Sequence, residues 1–353
     1  MSDLHQPYMF RCLELARYGA GKVAPNPMVG AVLVHENRII GEGWHQVYGG
    51  PHAEVNCIRS VHASDEHLIP FSTLYVSLEP CVHFGKTPPC SQLIIEKKIP
   101  KVVIGCRDPF EAVNGKGIEQ LQKAGVAVTT GVLEKEAIAL NQRFFSFHQQ
   151  RRPYVVLKWA QTADGFIAGI SKDRLFITNE ETNRIVHRWR SEEAAILIGT
   201  ETALKDNPSL NNRYWTGKSP LRFVIDKHLR LPAHLTMFND RQPVIIFNEQ
   251  KAEDQEYLKF VKISSEQSLI NQLFDYCYQN GIQSILVEGG AQLLQSFIDE
   301  DHWDEVRIIT NTSLQIGAGL AAPLIKNSTL LHSFDSVTDQ IDIYIPQKNQ
   351  LAL

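Results

Sequence analysis

Residues 49–60 read GGPHAEVNCIRS, and residues 78–90 read LEPCVHFGKTPPC. The first stretch sets an imidazole, a carboxylate and a thiol, His52, Glu54 and Cys57, along an expected helix start. The second adds Cys81 and Cys90. One imidazole and two thiolates make a borderline-soft donor set that suits zinc, and three protein ligands leave a fourth position for water. An open position points to catalysis. Both Cys81 and Cys90 are expected to precede helices, where the positive end of the dipole favours a thiolate. Water on such an ion titrates near ~7 rather than ~15.7. Glu54 lies too near His52 to share the metal from the same turn, but near enough to move the proton of that water.

Taken singly, these residues have plainer readings. A histidine and a glutamate at a helix start are commonly solvated surface, and two cysteines with eight residues between them can hold a structural zinc or nothing. Together, with Pro80 before Cys81 and Pro89 before Cys90, they match the zinc-deaminase pattern of H-x-E followed by two cysteines. Cys12, Cys57 and Cys106 fall on apolar positions and read as core.

Working outward, MVGAVLV and RIIGEGWH flank the polar HEN and read as a β-hairpin ahead of the helix HAEVNCIRSV. Strand TLYVSLEP, helix SQLIIEKKI, strand KVVIGC, helix GIEQLQKAG and strand VAVTTGV follow, an α/β rhythm with parallel crossovers. A single polar helix, EKEAIALNQRFFSFHQQRR, is expected up to Pro153. The second half repeats the rhythm, from strand YVVLKWAQ to strand EVRIIT. The 353 residues exceed what one core usually serves, and the expected domains are 1–148 and 149–353.

Charged residues make up 21% and the formal net charge is −4, which gives no basic footprint for nucleic acid. The N-terminus lacks the apolar run and small-residue cleavage site of a signal peptide, and no window approaches the roughly 18 apolar residues of a membrane span. The expectation is a cytoplasmic protein whose six cysteines are reduced.

The longer loop between the cysteines, together with PNPMVGAVLV, GEGWHQVYGGPHAE, LEPCVHFGKTPPC and DPF…GKG, resembles the bifunctional deaminase-reductase family of riboflavin biosynthesis. The resemblance spans essentially the whole chain. It implies a cytidine-deaminase-like three-layer domain followed by a dihydrofolate-reductase-like domain. The implied first reaction is hydrolytic deamination of 2,5-diamino-6-(5-phosphoribosylamino)pyrimidin-4-one, with zinc on His52, Cys81 and Cys90 and with Glu54 as proton shuttle. Asn26, His83, Lys86 and Asp108 match positions that contact the pyrimidine and phosphoribosyl groups. Where the family often has an asparagine two residues after the aspartate, this chain has Phe110, and Asn114 is the candidate for that contact. On residues alone, Asn26 reads equally well as a turn residue between prolines.

VEGGAQLLQSF puts two glycines between a strand and a helix, a weak phosphate-cradling signal without the full G-x-G-x-x-G spacing. LKWAQTADGFIA and ILIGTETALKDNPSL strengthen it, since with VEGGAQLLQSF they resemble the family's reductase half. That likeness implies NADPH reducing the ribose of the deaminated product to a ribityl chain. Ala160, Phe176, Thr202, Asp206, Gly290, Ala291, Gln292, Leu293, Leu294, Gln295 and Ser296 match cofactor positions. Arg174, Arg190, Leu210, Arg213 and Glu288 match substrate positions, and Lys158 and Glu288 are the polar groups expected beside the reacting carbon, either one a source of the proton. Arginines suit a 5′-phosphate through their bidentate fork. The family usually carries serine where this chain has Arg174, and often tryptophan where it has Phe176. Without the resemblance, Lys158 would read as a solvent-facing strand lysine and Asp206 as a turn cap before Pro208.

Two rivals weigh less. A nucleic-acid deaminase would need a lysine- and arginine-rich stripe, and a non-catalytic zinc-stabilised binding protein would more often have four protein ligands. The expected partner is a small phosphoribosyl pyrimidine, with no nucleic acid and no membrane, and with self-association as a dimer or tetramer.

Overall fold

The computed structural model describes residues 4–84, 88–171 and 175–347. The chain folds as two compact units, Met1–Arg151 and Arg152–Ala352. Each is built on its own principal sheet.

The first unit runs α1 (Gln6–Arg17), β1 (Gly30–His35), β2 (Arg38–Trp44), α2 (Ala53–Arg59), β3 (Thr73–Leu78), α3 (Cys90–Glu96), β4 (Lys101–Cys106), α4 (Lys116–Lys123), β5 (Ala127–Thr130), α5 (Glu134–Leu140) and α6 (Gln142–Gln150). Its strands lie in the order β2-β1-β3-β4-β5. β1 is antiparallel to β2 and β3, and β3, β4 and β5 are parallel. The expected hairpin is β1–β2. Its turn residues, Glu36 and Asn37, have φ of 46° and 68°, the paired positive φ that suits the right-handed twist of the flanking strands.

β1 is buried along nearly its whole length because helices cover both faces of the sheet. Ala31 and Leu33 face one core with Cys57, Ile58, Ile94 and Leu121, while Val32 and Val34 face another with Met9, Cys12 and Leu15. This residue-by-residue alternation is the period of the pleat, and it gives the three-layer arrangement. Gly43 fixes α2 in that arrangement. A Cβ there would lie 2.2 Å from the Cys57 amide nitrogen and 2.7 Å from the Ala53 carbonyl oxygen, so strand and helix meet backbone to backbone beside His52.

The long helix expected after residue 133 is two helices. Asn141 interrupts it, and the Asn141 side chain accepts from the Met28 amide at 2.8 Å and donates to the Met28 carbonyl at 2.9 Å. A side chain that brackets a distant peptide in this way draws the chain off the helical path.

The second unit contains β6 (Tyr154–Thr162), β7 (Phe166–Gly169), α7 (Glu180–Glu192), β8 (Ala195–Gly199), α8 (Thr200–Asp206), β9 (Leu221–Ile225), β10 (Val244–Asn248), β11 (Glu253–Asp254), β12 (Leu258–Lys262), α9 (Leu269–Gln279), β13 (Ser284–Gly289), α10 (Ala291–Asp299), β14 (Glu305–Asn311), β15 (Gly319–Ala321), β16 (Ser328–Ser336) and β17 (Asp339–Pro346). The principal sheet has the order β11-β12-β10-β9-β8-β13-β6-β14-β17-β16. It is parallel from β12 to β14 and antiparallel at both ends.

Strand parity sorts β6. Val155, Leu157 and Trp159 enter the main core, while Tyr154, Val156 and Ala160 pack against Val186 and Trp189 of α7. On β13, Ile285 and Val287 share the first face and Leu286 the second. Lys158 and Glu288 therefore both belong to the face covered by α7. The closing hairpin β16–β17 is not marked by the sequence pattern, because most β16 positions face solvent and mix Leu, Ser, His and Phe. Among the described residues, no helix is long and apolar enough to cross a membrane.

Candidate active sites

In the first unit, His52 is the N-cap of α2 in extended backbone, and Glu54 occupies the first helical turn, buried at 3% exposure. Cys81 follows the end of β3, and Cys90 is the first residue of α3. The candidate ligand atoms of His52, Cys81 and Cys90 all lie within 4.8 Å of one another. His52 Nδ1 is 3.6 Å from Cys81 Sγ and 3.4 Å from Cys90 Sγ. The expectation that both cysteines precede helices holds for Cys90 but not for Cys81, which leads into a loop. Its sulfur instead accepts from the Cys90 amide at 3.4 Å, and its carbonyl accepts from the Ser91 amide at 3.1 Å and the Ser91 hydroxyl at 2.9 Å. The start of α3 thus supports both sulfurs.

Hydrogen bonds from Cys90 and His52 hold the Cys81 thiol well below its usual range against the cost of burial, and the hydrogen bond to Cys81 raises His52. Burial pushes the Glu54 carboxyl up, opposed by the His52 charge. A soft, closely grouped N/S/S set beside a buried acid fits a zinc ion.

His45 braces this arrangement. It is buried, one ring nitrogen lies 3.0 Å from the Pro51 carbonyl and the other 3.1 Å from Asn26 Nδ2, and its ring meets that of His52 edge-on at 5.3 Å. Asn26 is thereby tied to the segment that presents His52. Asp108 is buried and its carboxyl, raised by burial to about 7, accepts from the Phe110 amide. Phe110 sits edge-on to His83 at 5.9 Å and tilted against His148 at 5.0 Å. Phe110 thus joins an aromatic cluster, and Asn114 is exposed with its carbonyl taken by Arg107. Lys86 lies outside the described residues.

In the second unit, Glu288 is the centre of a buried charge cluster. Arg190 of α7 donates to both of its carboxylate oxygens at 2.7 Å, and Lys158 Nζ lies 3.7 Å from Oε2. Burial alone would raise the Glu288 acid, but Arg190 and Lys158 outweigh it and hold it at about 2. This favours the ionised form of Glu288 and leaves Lys158 the better placed of the two to supply a proton. Arg190, expected at the substrate phosphate, is committed to Glu288 and to the Asn211 carbonyl at 3.2 Å.

Arg213 is exposed, braced by Ser209 and Asn211 and stacked over Tyr214 at 4.9 Å. Its amide donates to Nδ1 of the buried His187 at 3.1 Å. Leu210 turns its side chain into the core with Ile196 and Val224, which leaves only its backbone to a ligand.

Gly290 is the N-cap of α10 without a side-chain cap, so the helix start keeps free amides. Thr202 Oγ1 lies 3.3 and 3.0 Å from where a Cβ would stand on Gly289 and Gly290, and Gly289 has φ +142°, a conformation suited to glycine. Within the expected run, Leu294 is core, Ser296 bonds its own helix at the Leu293 carbonyl, and Gln295 accepts from the Leu324 amide. Gly290, Ala291, Gln292 and Leu293 remain at the helix mouth. Ala160 is half-buried on β6, Asp206 ends α8 and Phe176 is 76% exposed. Arg174 lies outside the described residues.

Sequence reasoning passed over Glu79, His45 and His187. The signals available were an acid ahead of Pro80-Cys81, a histidine in GEGWH, and a histidine one turn before Arg190.

A family model of the cytidine and deoxycytidylate deaminase zinc-binding region matches residues 2–106, and a model of the RibD C-terminal domain matches residues 153–337. Riboflavin biosynthesis protein RibD of Aquifex aeolicus is 37% identical over 328 residues, covering 90% of each chain. That of Bacillus amyloliquefaciens is 36% identical over 358 residues, covering 99% of this chain and 94% of its own. Among solved structures, a diaminohydroxyphosphoribosylaminopyrimidine deaminase/5-amino-6-(5-phosphoribosylamino)uracil reductase of Thermotoga maritima is similar at TM-score 0.88 and 37% identity, covering 98% of this chain and 99% of that one.

Proposed function

The chain belongs to the bifunctional deaminase/reductase family of riboflavin biosynthesis, and from that premise we propose which of its residues carry the two reactions. The enzyme deaminates 2,5-diamino-6-(5-phosphoribosylamino)pyrimidin-4-one hydrolytically with zinc, then reduces the ribosyl side chain to ribityl with NADPH. The first unit is the deaminase domain and the second the reductase domain.

His52, Cys81 and Cys90 hold the zinc. The metal supplies the Lewis acidity that makes water a nucleophile at neutral pH. Glu54 takes a proton from the attacking water and gives it to the departing amino group. Burial raises its carboxyl above the usual range, which suits a group that must both accept and release a proton. Asn26, His83, Lys86 and Asp108 hold the pyrimidine and phosphoribosyl groups. The observation that carries this half is the convergence of one imidazole and two sulfurs beside a buried carboxyl.

NADPH supplies the hydride in the second unit. Ala160, Phe176, Thr202, Asp206 and the start of α10 receive the cofactor, with the free amides at Gly290 and Ala291 facing phosphate. Arg213, together with Arg174, takes the 5′-phosphate of the substrate, and Arg190 shapes that loop through its bond to Asn211. Lys158 is the proton source, since its partner Glu288 is ionised. Glu288 orients Lys158 and Arg190 by charge.

The two finer expectations have separate support. Six free thiols fit a cytoplasmic enzyme. Leu330, Leu331 and Phe334, 40–49% exposed on the edge strand β16, fit a homo-oligomer. The functional test is to incubate the purified protein with the diaminopyrimidine ribotide, with and without NADPH, and follow ammonia and nucleotide oxidation. Ammonia without NADPH, and NADPH oxidation only after ammonia release, is the expected result. Oxidation that precedes deamination would reject the order.

A further inference from the structure

Within the first unit, the backbone of the motif DPF…GKG converges on one side chain. Glu79 stands at the end of β3, two residues before Cys81, and is buried at 3% exposure. One carboxylate oxygen accepts from the amides of Asp108 at 3.2 Å and Gly115 at 2.9 Å. The other accepts from Gly117 at 2.9 Å and Ile118 at 3.2 Å. Four backbone donors on one buried carboxylate form a charge-assisted set, stronger per bond than neutral pairs.

Both glycines of the motif serve this wrapping. Gly115 has φ +90°, which favours glycine. A Cβ on Gly117 would stand 2.1 Å from the Pro80 carbonyl oxygen and 3.1 Å from Glu79 Oε1, so the chain can approach Glu79 only without a side chain there. Asp108, Phe110 and the start of α4 are thus gathered around an anchor that lies two residues along the chain from a zinc-ligand position.

We propose that Glu79 is a positioning residue of the deaminase, whose carboxylate holds segment 108–118 in place at the pyrimidine substrate. The inference rests on the proposed reading of the first unit as the deaminase domain, whose substrate this segment meets. Glu79 itself touches no reacting atom. Four amides that all need an acceptor make an amide side chain a poor replacement, because Gln would turn its NH2 donors toward two of them.

Glu79→Gln is therefore expected to raise the deamination KM by at least about tenfold with kcat within a few-fold, the pattern of lost substrate binding. Zinc stoichiometry and NADPH oxidation on the deaminated ribotide should stay normal. Amide hydrogen exchange at Asp108, Gly115, Gly117 and Ile118 should accelerate. Gly117→Ala should reproduce the KM effect by displacing the loop while leaving the carboxylate. If Glu79→Gln loses its zinc, Glu79→Asp, which keeps the charge but is one methylene shorter, decides: a raised KM at full zinc supports the proposal and an unchanged KM overturns it. Faster exchange in the segment with an unchanged KM would also overturn it, by reducing Glu79 to a structural anchor. Asp108→Asn separates the two readings. A raised KM in Glu79→Gln with none in Asp108→Asn keeps the positioning role and rejects Asp108 as the contact.

Discussion

The two sites are held together by opposite physics. In the deaminase, an imidazole and two sulfurs from the starts of α2 and α3 and the end of β3 point at one place, and nearby backbone contacts at Gly43 and Ser91 fix them. In the reductase, Lys158, Arg190 and Glu288 come from two neighbouring strands and a covering helix, and the one carboxylate is shared between two cations. The first set is arranged for a cation. The second carries its own counter-charge and keeps one positive charge in excess, which suits an anionic ligand. A buried carboxylate therefore means different things in the two halves: Glu54 is raised by burial and suited to proton transfer, while Glu288 is held at about 2 and suited to orientation.

The contrast breaks most sharply at the acids and bases. Glu54→Gln should keep its zinc yet lose deamination by about 10⁴-fold or more, since one residue serves two proton transfers and each is worth roughly 10²–10⁴-fold. The same protein should oxidise NADPH normally when given the deaminated ribotide. Near-normal ammonia release from zinc-replete Glu54→Gln would remove Glu54 from the mechanism.

Lys158→Ala should do the reverse, releasing ammonia at the normal rate while reduction falls roughly 10²–10⁴-fold. Steady-state NADPH oxidation checks this, and a fall of only a few-fold would show that the proton comes from elsewhere.

A smaller effect comes from His187. Burial, with Arg190 and Arg213 nearby, lowers its pKa to about 4, and neutral Nδ1 accepts the Arg213 amide. A depressed histidine contributes stability that is full above its unfolded value of about 6.5 and is lost as pH falls toward 4, because the unfolded chain binds the proton more readily. Thermal unfolding should therefore steepen in acid between about pH 6.5 and 4. His187→Asn, whose side-chain oxygen can accept the same amide, should flatten that dependence, and an unchanged profile would exclude His187 as its source.

The smallest expected effect is at Cys57, whose thiol is buried in the core and raised by that burial. Cys57→Ser should leave zinc content unchanged, whereas Cys90→Ser should lose it. Metal analysis of the two variants distinguishes a ligand from a packed thiol.

How much of this was legible follows from the same contrast. The deaminase donors lie within about forty residues, at strand ends and helix starts that spacing can mark, so His52, Glu54, Cys81 and Cys90 could be named from their order. Glu79 stayed hidden because its partners are backbone amides, which carry no residue signature. The reductase residues span several elements, and parity alone suggests that Lys158 and Glu288 share a face. Their pairing with Arg190 depends on cross-strand register and on how α7 lies over the sheet, which no local pattern records. Likewise Asn141 reads as a tolerable helix residue until the Met28 peptide it binds is known, and the β16–β17 hairpin lacks clean alternation because one strand is an exposed edge.

The central claim is that zinc chemistry is confined to His52, Cys81 and Cys90 while reduction runs on a separate charge cluster. Its most direct test is to strip zinc from the intact enzyme with a chelator and assay both steps on one sample. Ammonia release from the diamino ribotide should vanish and return with added zinc, while NADPH oxidation on the deaminated ribotide should be unchanged throughout. Loss of both activities on chelation, or retention of deamination without zinc, would contradict it.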